Sequence, residues 1–216
     1  MQPSLVIYYC LLLLAALLTI PPARRDRRLW FFFAVLATAL LEELVFEFLL
    51  LYTGKKYFLI YHLYAPLYYS LFALYFYFTI PTKAVTRFIP WSIAFYCCGS
   101  ALAWWNGGGL FLFPGLKIDI LGFLLIPLCF IALYTLDAQD HTPITSRPLF
   151  WVSIATFIFY TSDFVVIGLK SYIGTYSDQR AKNVTTLLNF INNYLYYTII
   201  SIGMIWARPV RKFSQP

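Results

Sequence analysis

The stretch Leu29–Tyr52, LWFFFAVLATALLEELVFEFLLLY, decides how the rest of the chain is read, because it is long enough to cross a bilayer yet carries Glu42, Glu43 and Glu47. About 20 apolar residues at 1.5 Å rise span a hydrocarbon core of about 30 Å. A central charge costs roughly 3 kcal/mol on insertion, so three acids cost up to about 9 kcal/mol, while the Leu, Phe and Val residues at roughly −0.4 kcal/mol each return about 6 kcal/mol. Alone, such a helix is marginal in lipid. It becomes stable when its carboxylates are protonated, or face other helices and share protons, cations or hydrogen-bond donors there.

The composition around this stretch points the same way. Of 216 residues, 61% are hydrophobic, 21% aromatic and only 12% charged, too few polar groups to cover a water-soluble core. The expected fold is all-α: one polytopic membrane domain over residues 1–216, since no segment between apolar runs is long enough to fold by itself. The net charge of +7 comes from short basic clusters between those runs. That is the distribution of topology signals and excludes a nucleic-acid surface. Cys10, Cys97, Cys98 and Cys129 fall inside apolar runs without ligand spacing, so neither a disulfide framework nor a metal site is expected. No cofactor is implied.

Seven runs predict seven transmembrane helices: Leu5–Ile20, Leu29–Tyr52, Tyr57–Ile80, Phe88–Trp105, Ile118–Leu136, Leu149–Leu169 and Val184–Trp206. The connections PPARRDRR, TGKK, PTKAVT, NGGGLFLFPGLK, DAQDHTPITSRP and KSYIGTYSDQRAKN carry the Pro, Gly and charge that end helices. No basic residue precedes the first run, and Pro21-Pro22 and four arginines follow it, so a retained helix is expected rather than a cleaved leader. Ten basic residues fall on one side (Arg24, Arg25, Arg27, Arg28, Lys83, Arg87, Arg147, Arg208, Arg211, Lys212) against six on the other (Lys55, Lys56, Lys117, Lys170, Arg180, Lys182). The excess marks the cytoplasmic side, with the N-terminus outside and the C-terminus inside. Trp30, Trp91, Trp151 and Trp206 then lie at the inner interface, and Trp104 and Trp105 at the outer one.

Depth along these helices gathers the intramembrane polar residues. Glu47 and His62 fall about five residues from the outer ends of their helices, Asp163 about six and Asn189 about five, with Asp119 at the outer mouth of its own; Glu42, Glu43, Asn192 and Asn193 lie nearer the midplane. Glu43 and Glu47 share a helical face, as do Asn189 and Asn193. One reading makes them interhelical glue at about 0.6 kcal/mol per hydrogen bond. The other makes Glu42, Glu43, Glu47, His62, Asp163, Asn189 and Asn193 the ligand- or ion-binding set of a pocket open to the outside, since ionisable residues within a membrane usually serve function. Tyr57, Tyr61, Tyr64, Tyr68 and Tyr75 make one stripe, and Phe190, Tyr194 and Tyr197 a second. Such stripes are packing seams or the aromatic lining of that pocket, with Tyr61, Tyr64, Tyr68, Tyr194 and Tyr197 beside the acids.

Sharper alternatives fall on single residues. A retinal protein needs a lysine in the last run, and Val184–Trp206 has none. Glu42-Glu43 followed by Phe58 and His62 resembles the intramembrane proteases that process CAAX proteins. Glu47 stands near that pattern's arginine, however, and the only other histidine, His141, falls in a cytoplasmic loop. A transporter of three helices, a linker and three helices, like the SWEET and PQ-loop families, would pair Glu47 with Asp163 and His62 with Asn189 in a parallel repeat. The Pro-Gln signature of those families is missing.

Four segments carry a broader likeness: TALLEELVFEFLL, YHLYAPLYYSLFALYFY, RPLFWVSIATFIFYTSDFVV and LLNFINNYLYYTIISIGMIWA. They resemble corresponding helices of a group of uncharacterised seven-helix membrane proteins of Bacteroidota. The resemblance implies an inner-membrane, multi-pass protein and no assigned activity. At Ala65-Pro66-Leu67, where that group carries an acid, this chain departs from it. The expected role is binding or sensing a small or lipid-like ligand from the outer side. With about ten residues after Trp206, a signal would pass to a separate protein partner on the cytoplasmic side. A proton- or cation-coupled transporter is second and an intramembrane enzyme third.

Overall fold

A computed structural model describes residues 3–54, 59–105, 115–137, 143–173 and 179–207. These form seven helices and no sheet: α1 (Pro3–Arg25), α2 (Leu29–Thr53), α3 (Leu59–Thr79), α4 (Lys83–Trp105), α5 (Gly115–Asp137), α6 (Pro148–Ile173) and α7 (Gln179–Trp206), with one 3-10 turn at Ile144–Ser146. Tyr57, residues 106–114, His141 and the side chains of Trp104 and Trp105 lie outside the described residues. Several ends differ from the sequence expectation. α1 runs through Pro21-Pro22 to Arg25 instead of stopping at Ile20, because proline removes only its own donor and the helix closes one turn later, with the Asp26 N–H bonded to the Pro22 carbonyl at 2.9 Å. α4 begins at Lys83, so most of PTKAVT is helical, and Val85 packs on the core. α2 ends where expected: Gly54 takes φ 67° and its N–H caps the Leu50 carbonyl.

The helices pack α1 on α2, α2 on α3, α3 on α5, α5 on α6, α6 on α7, and α7 back on α1. Six helices thus close a ring, and α4 lies outside it against α3 and, more lightly, α5. Buried positions repeat between the first and last three helices. On α1 they are Tyr8, Leu12, Ala15, Ala16, Thr19 and Ala23; on α5 they are Leu121, Leu125, Leu128, Cys129, Ala132 and Leu136, at identical spacing. Leu29, Phe32, Val35 and Leu36 of α2 match Leu149, Val152, Ala155 and Thr156 of α6, and the next step of seven residues reaches Glu43 on one and Asp163 on the other. Tyr68, Tyr69, Phe72, Ala73, Tyr75 and Phe76 of α3 match Tyr196, Tyr197, Ile200, Ser201, Gly203 and Met204 of α7.

Among the described residues four helices are long and apolar enough to cross a membrane: Ser4–Arg25, Leu29–Thr53, Ile118–Leu136 and Pro148–Val166. α3, α4 and α7 fall short of that measure because tyrosine, serine, threonine and asparagine dilute their apolar content. All seven nonetheless turn large apolar side chains outward. Leu17, Leu41, Leu63, Phe95, Phe130, Val165 and Leu195, one per helix, are 50–73% exposed, a coat that water would not tolerate. The fold is consistent with a multi-pass membrane protein. Trp30, Trp91, Trp151 and Trp206 all sit toward the end that carries Arg24–Arg28.

Candidate functional site

The ring encloses a cavity of about 340 Å³ toward the end at which α1 starts. Each ring helix lines it: Tyr8 from α1; Ala39, Glu42 and Glu43 from α2; Tyr61, Tyr64, Ala65 and Tyr68 from α3; Ile118 and Leu121 from α5; Phe159, Tyr160, Asp163 and Val166 from α6; Thr186, Asn189, Asn193, Tyr196 and Tyr197 from α7. Helical phase explains the selection. Ala39, Glu42 and Glu43 continue the buried stripe of α2 by steps of three and four, as Phe159, Tyr160 and Asp163 do on α6. The rim is exposed at Thr186 and Asn189, whereas below the floor Leu36, Phe72, Leu125 and Ile200 are fully or almost fully buried and close the other half.

Three carboxylates and seven tyrosines face this space, and no Lys, Arg or His does among the described residues. Tyr8 donates its hydroxyl proton to Glu43 Oε1 at 3.1 Å. Glu42 lines the cavity but is only 7% exposed, and its Oε1 is buried without a hydrogen-bond partner. Tyr8 meets the ring of Tyr197 edge-on at 5.7 Å, Tyr64 and Tyr68 lie 5.0 Å apart, and Tyr196 contacts both Phe159 and Tyr197 at 5.0 Å, giving a continuous aromatic wall. On α7 Asn193 donates to the Asn189 carbonyl at 2.9 Å, while Asn192 turns away and donates to the Phe159 carbonyl at 3.0 Å, tying α7 to α6.

Of the residues singled out from sequence, the cavity joins Glu42, Glu43, Asp163, Asn189, Asn193, Tyr61, Tyr64, Tyr68 and Tyr197. It leaves Glu47, His62 and Tyr194 outside its lining. Glu47 sits one turn beyond Glu43, half-buried and outside the lining; His62 is buried on α3 about 100° round from Tyr61. Tyr194 instead donates to the Ser4 carbonyl at 2.6 Å and clasps α7 to α1. Tyr8, Tyr160, Tyr196 and Thr186 were not anticipated. Tyr8 belongs to a run with no polar face, and only the contact of the first helix with the last brings it to the site. A second cleft of about 450 Å³ lies at the opposite end, lined by Pro21, Pro22, Arg25, Asp26 and Leu29 from the start of the chain and by Ser146, Arg147, Pro148, Met204, Ile205 and Ala207 from its second half.

Fold and site together define a helical bundle with a ring of six around an acidic, tyrosine-walled cavity. No known protein family, no curated protein and no solved structure matches the chain.

Proposed function

We propose that the chain is an integral membrane protein of seven transmembrane helices, N-terminus outside, that binds a small organic cation, an amine or quaternary ammonium, in a cavity open to the outer face. The observation that carries this reading is the lining: three carboxylates and seven tyrosine rings with no basic side chain among the described residues. Glu42 and Glu43 on one wall and Asp163 on another give the cavity an acidic lining that a cation complements. Seven tyrosine rings beside the acids suit an organic cation better than a bare metal ion. Tyrosine faces attract such a group through the ring quadrupole, by about 0.5–2 kcal/mol each when desolvated. The outward coat of apolar side chains supports the membrane placement, and the basic excess supports the orientation. A helical bundle in a two-membrane cell belongs to the inner membrane, since outer-membrane proteins are barrels.

The test is equilibrium binding to purified protein in nanodiscs of choline, tetraethylammonium and benzyltrimethylammonium, with 3,3-dimethylbutanol as the uncharged isostere of choline. A unit charge about 5 Å from a carboxylate at an effective dielectric near 20 is worth roughly 3 kcal/mol. Saturable binding of at least one cation is expected, with the isostere at least tenfold weaker and Asp163→Asn weakening the cation tenfold or more. Equal affinity for choline and its isostere, or no binding of any of the three cations, would overturn the reading.

A further inference from the structure

The ring maps onto itself when α1, α2 and α3 are exchanged for α5, α6 and α7. Each contact within the first half has its counterpart in the second, and the two junctions between halves, α3 against α5 and α7 against α1, exchange with one another. Much of each buried stripe follows the same exchange, which brings Glu43 and Asp163 into corresponding positions. The halves therefore share one three-helix contact pattern, with the cavity lined by both. α4 stands outside and joins them.

From this arrangement we infer that the protein is a carrier: the two halves rock against each other about the cavity, so that a cation taken up from one face is released at the other. The inference rests on the cation-pocket reading and adds a second access route. That route is visible in outline. The cleft at the basic end is shared by α1 and α2 of one half and α6 and α7 of the other, so it lies along the same seam as the cavity. Near the cavity mouth the seam is clasped by the Tyr194 to Ser4 hydrogen bond. Farther down, small residues occur in the buried stripes, Ala15, Ala16 and Thr19 on α1 and Ser201 on α7. Large side chains interlocked across that seam would resist sliding; small ones do not. A receptor that only senses its ligand needs neither two equivalent halves nor a cleft behind the floor. A carrier working by alternating access uses both, because each half must make equivalent contacts in the two states.

The experiment reads access directly. Cys10, Cys97, Cys98 and Cys129 are first replaced by serine. Single cysteines are then placed at cavity-lining positions in each half, Ala39→Cys on α2 and Val166→Cys on α6. Right-side-out and inside-out membrane vesicles are exposed to the membrane-impermeant reagent trimethylammonioethyl methanethiosulfonate, with the cysteine-free protein as background. Either position suffices if the other variant does not fold, as judged by gel filtration. Labelling from both faces is the expected result. Labelling from the outer face alone overturns the carrier and leaves the pocket intact. If folded variants at both positions are labelled from neither face, the cavity is not reached by water and the pocket reading falls with the carrier.

Discussion

Gly203 gives the sharpest test of how α6 and α7 meet below the cavity. A Cβ built there would collide with Cβ and Cγ of Trp151 and would lie 2.8 Å from its Cδ2. These are root atoms of the side chain, so a change of rotamer cannot clear them, and the indole is also held by its Nε1 hydrogen bond to the Thr145 carbonyl at 2.7 Å. One helix must retreat by about 1 Å or more. Overpacking of this kind costs typically 1–3 kcal/mol, and backbone displacement puts Gly203→Ala near the top of that range at about 3 kcal/mol. Alanine regains up to about 1 kcal/mol of helix propensity, leaving a net loss of about 2 kcal/mol. Gly99 on α4 is the control, because nothing lies within 4 Å of its would-be Cβ, so Gly99→Ala should be neutral or stabilising by up to about 1 kcal/mol. SDS-induced unfolding in mixed micelles, followed by circular dichroism, measures both. Equal midpoints for the two variants would mean that α6 and α7 do not approach through Gly203.

Three further outcomes are expected. Tyr8→Phe removes the hydrogen bond to Glu43 and should cost about 1.5 kcal/mol in the same unfolding assay, with a smaller loss when Glu43→Gln is already present; additive losses would show that the two never bond. Asn192→Leu should cost about 0.5–1.5 kcal/mol and leave choline affinity unchanged, because its amide serves the Phe159 carbonyl rather than the cavity; a tenfold change in affinity would contradict that placement. Reporter fusions after Arg28 and after Trp206 should read cytoplasmic and one after Lys182 external, and a cytoplasmic reading at Lys182 would refute the seven-span topology.

Much of this architecture lies in local pattern. Seven apolar runs separated by Pro, Gly and charge place the helices within a few residues, and depth counting brings Glu42, Glu43, Asp163, Asn189 and Asn193 into the same half of the bundle, where the cavity joins them. What local pattern does not contain is the azimuth of each helix about its axis. His62 stands beside Tyr61 in depth, yet a rotation of about 100° takes it out of the cavity's lining. The repeat shows the same limit. Spacing within the runs suggests pairing Glu47 with Asp163 and His62 with Asn189, while the buried stripes pair Glu43 with Asp163 and Tyr61 with Asn189. Tyr8 was illegible for a different reason, since closure of α1 on α7 joins the two ends of the chain and leaves no trace in either segment alone.

The odd helix outside the ring has a consequence of parity. Successive helices in this bundle reverse direction, so two three-helix units joined directly would run in opposite senses, and the acid of the second would arrive at the far end of the axis. One additional pass, α4, restores the sense and sets Glu43 and Asp163 side by side in depth. α4 touches none of the cavity and turns Phe88, Trp91, Phe95 and Leu102 outward, so its own sequence is free to drift among apolar residues. Its existence as a single extra helix is not free. Deleting it, or adding a second, would invert one half of the molecule and pull apart the two acids that face the cavity.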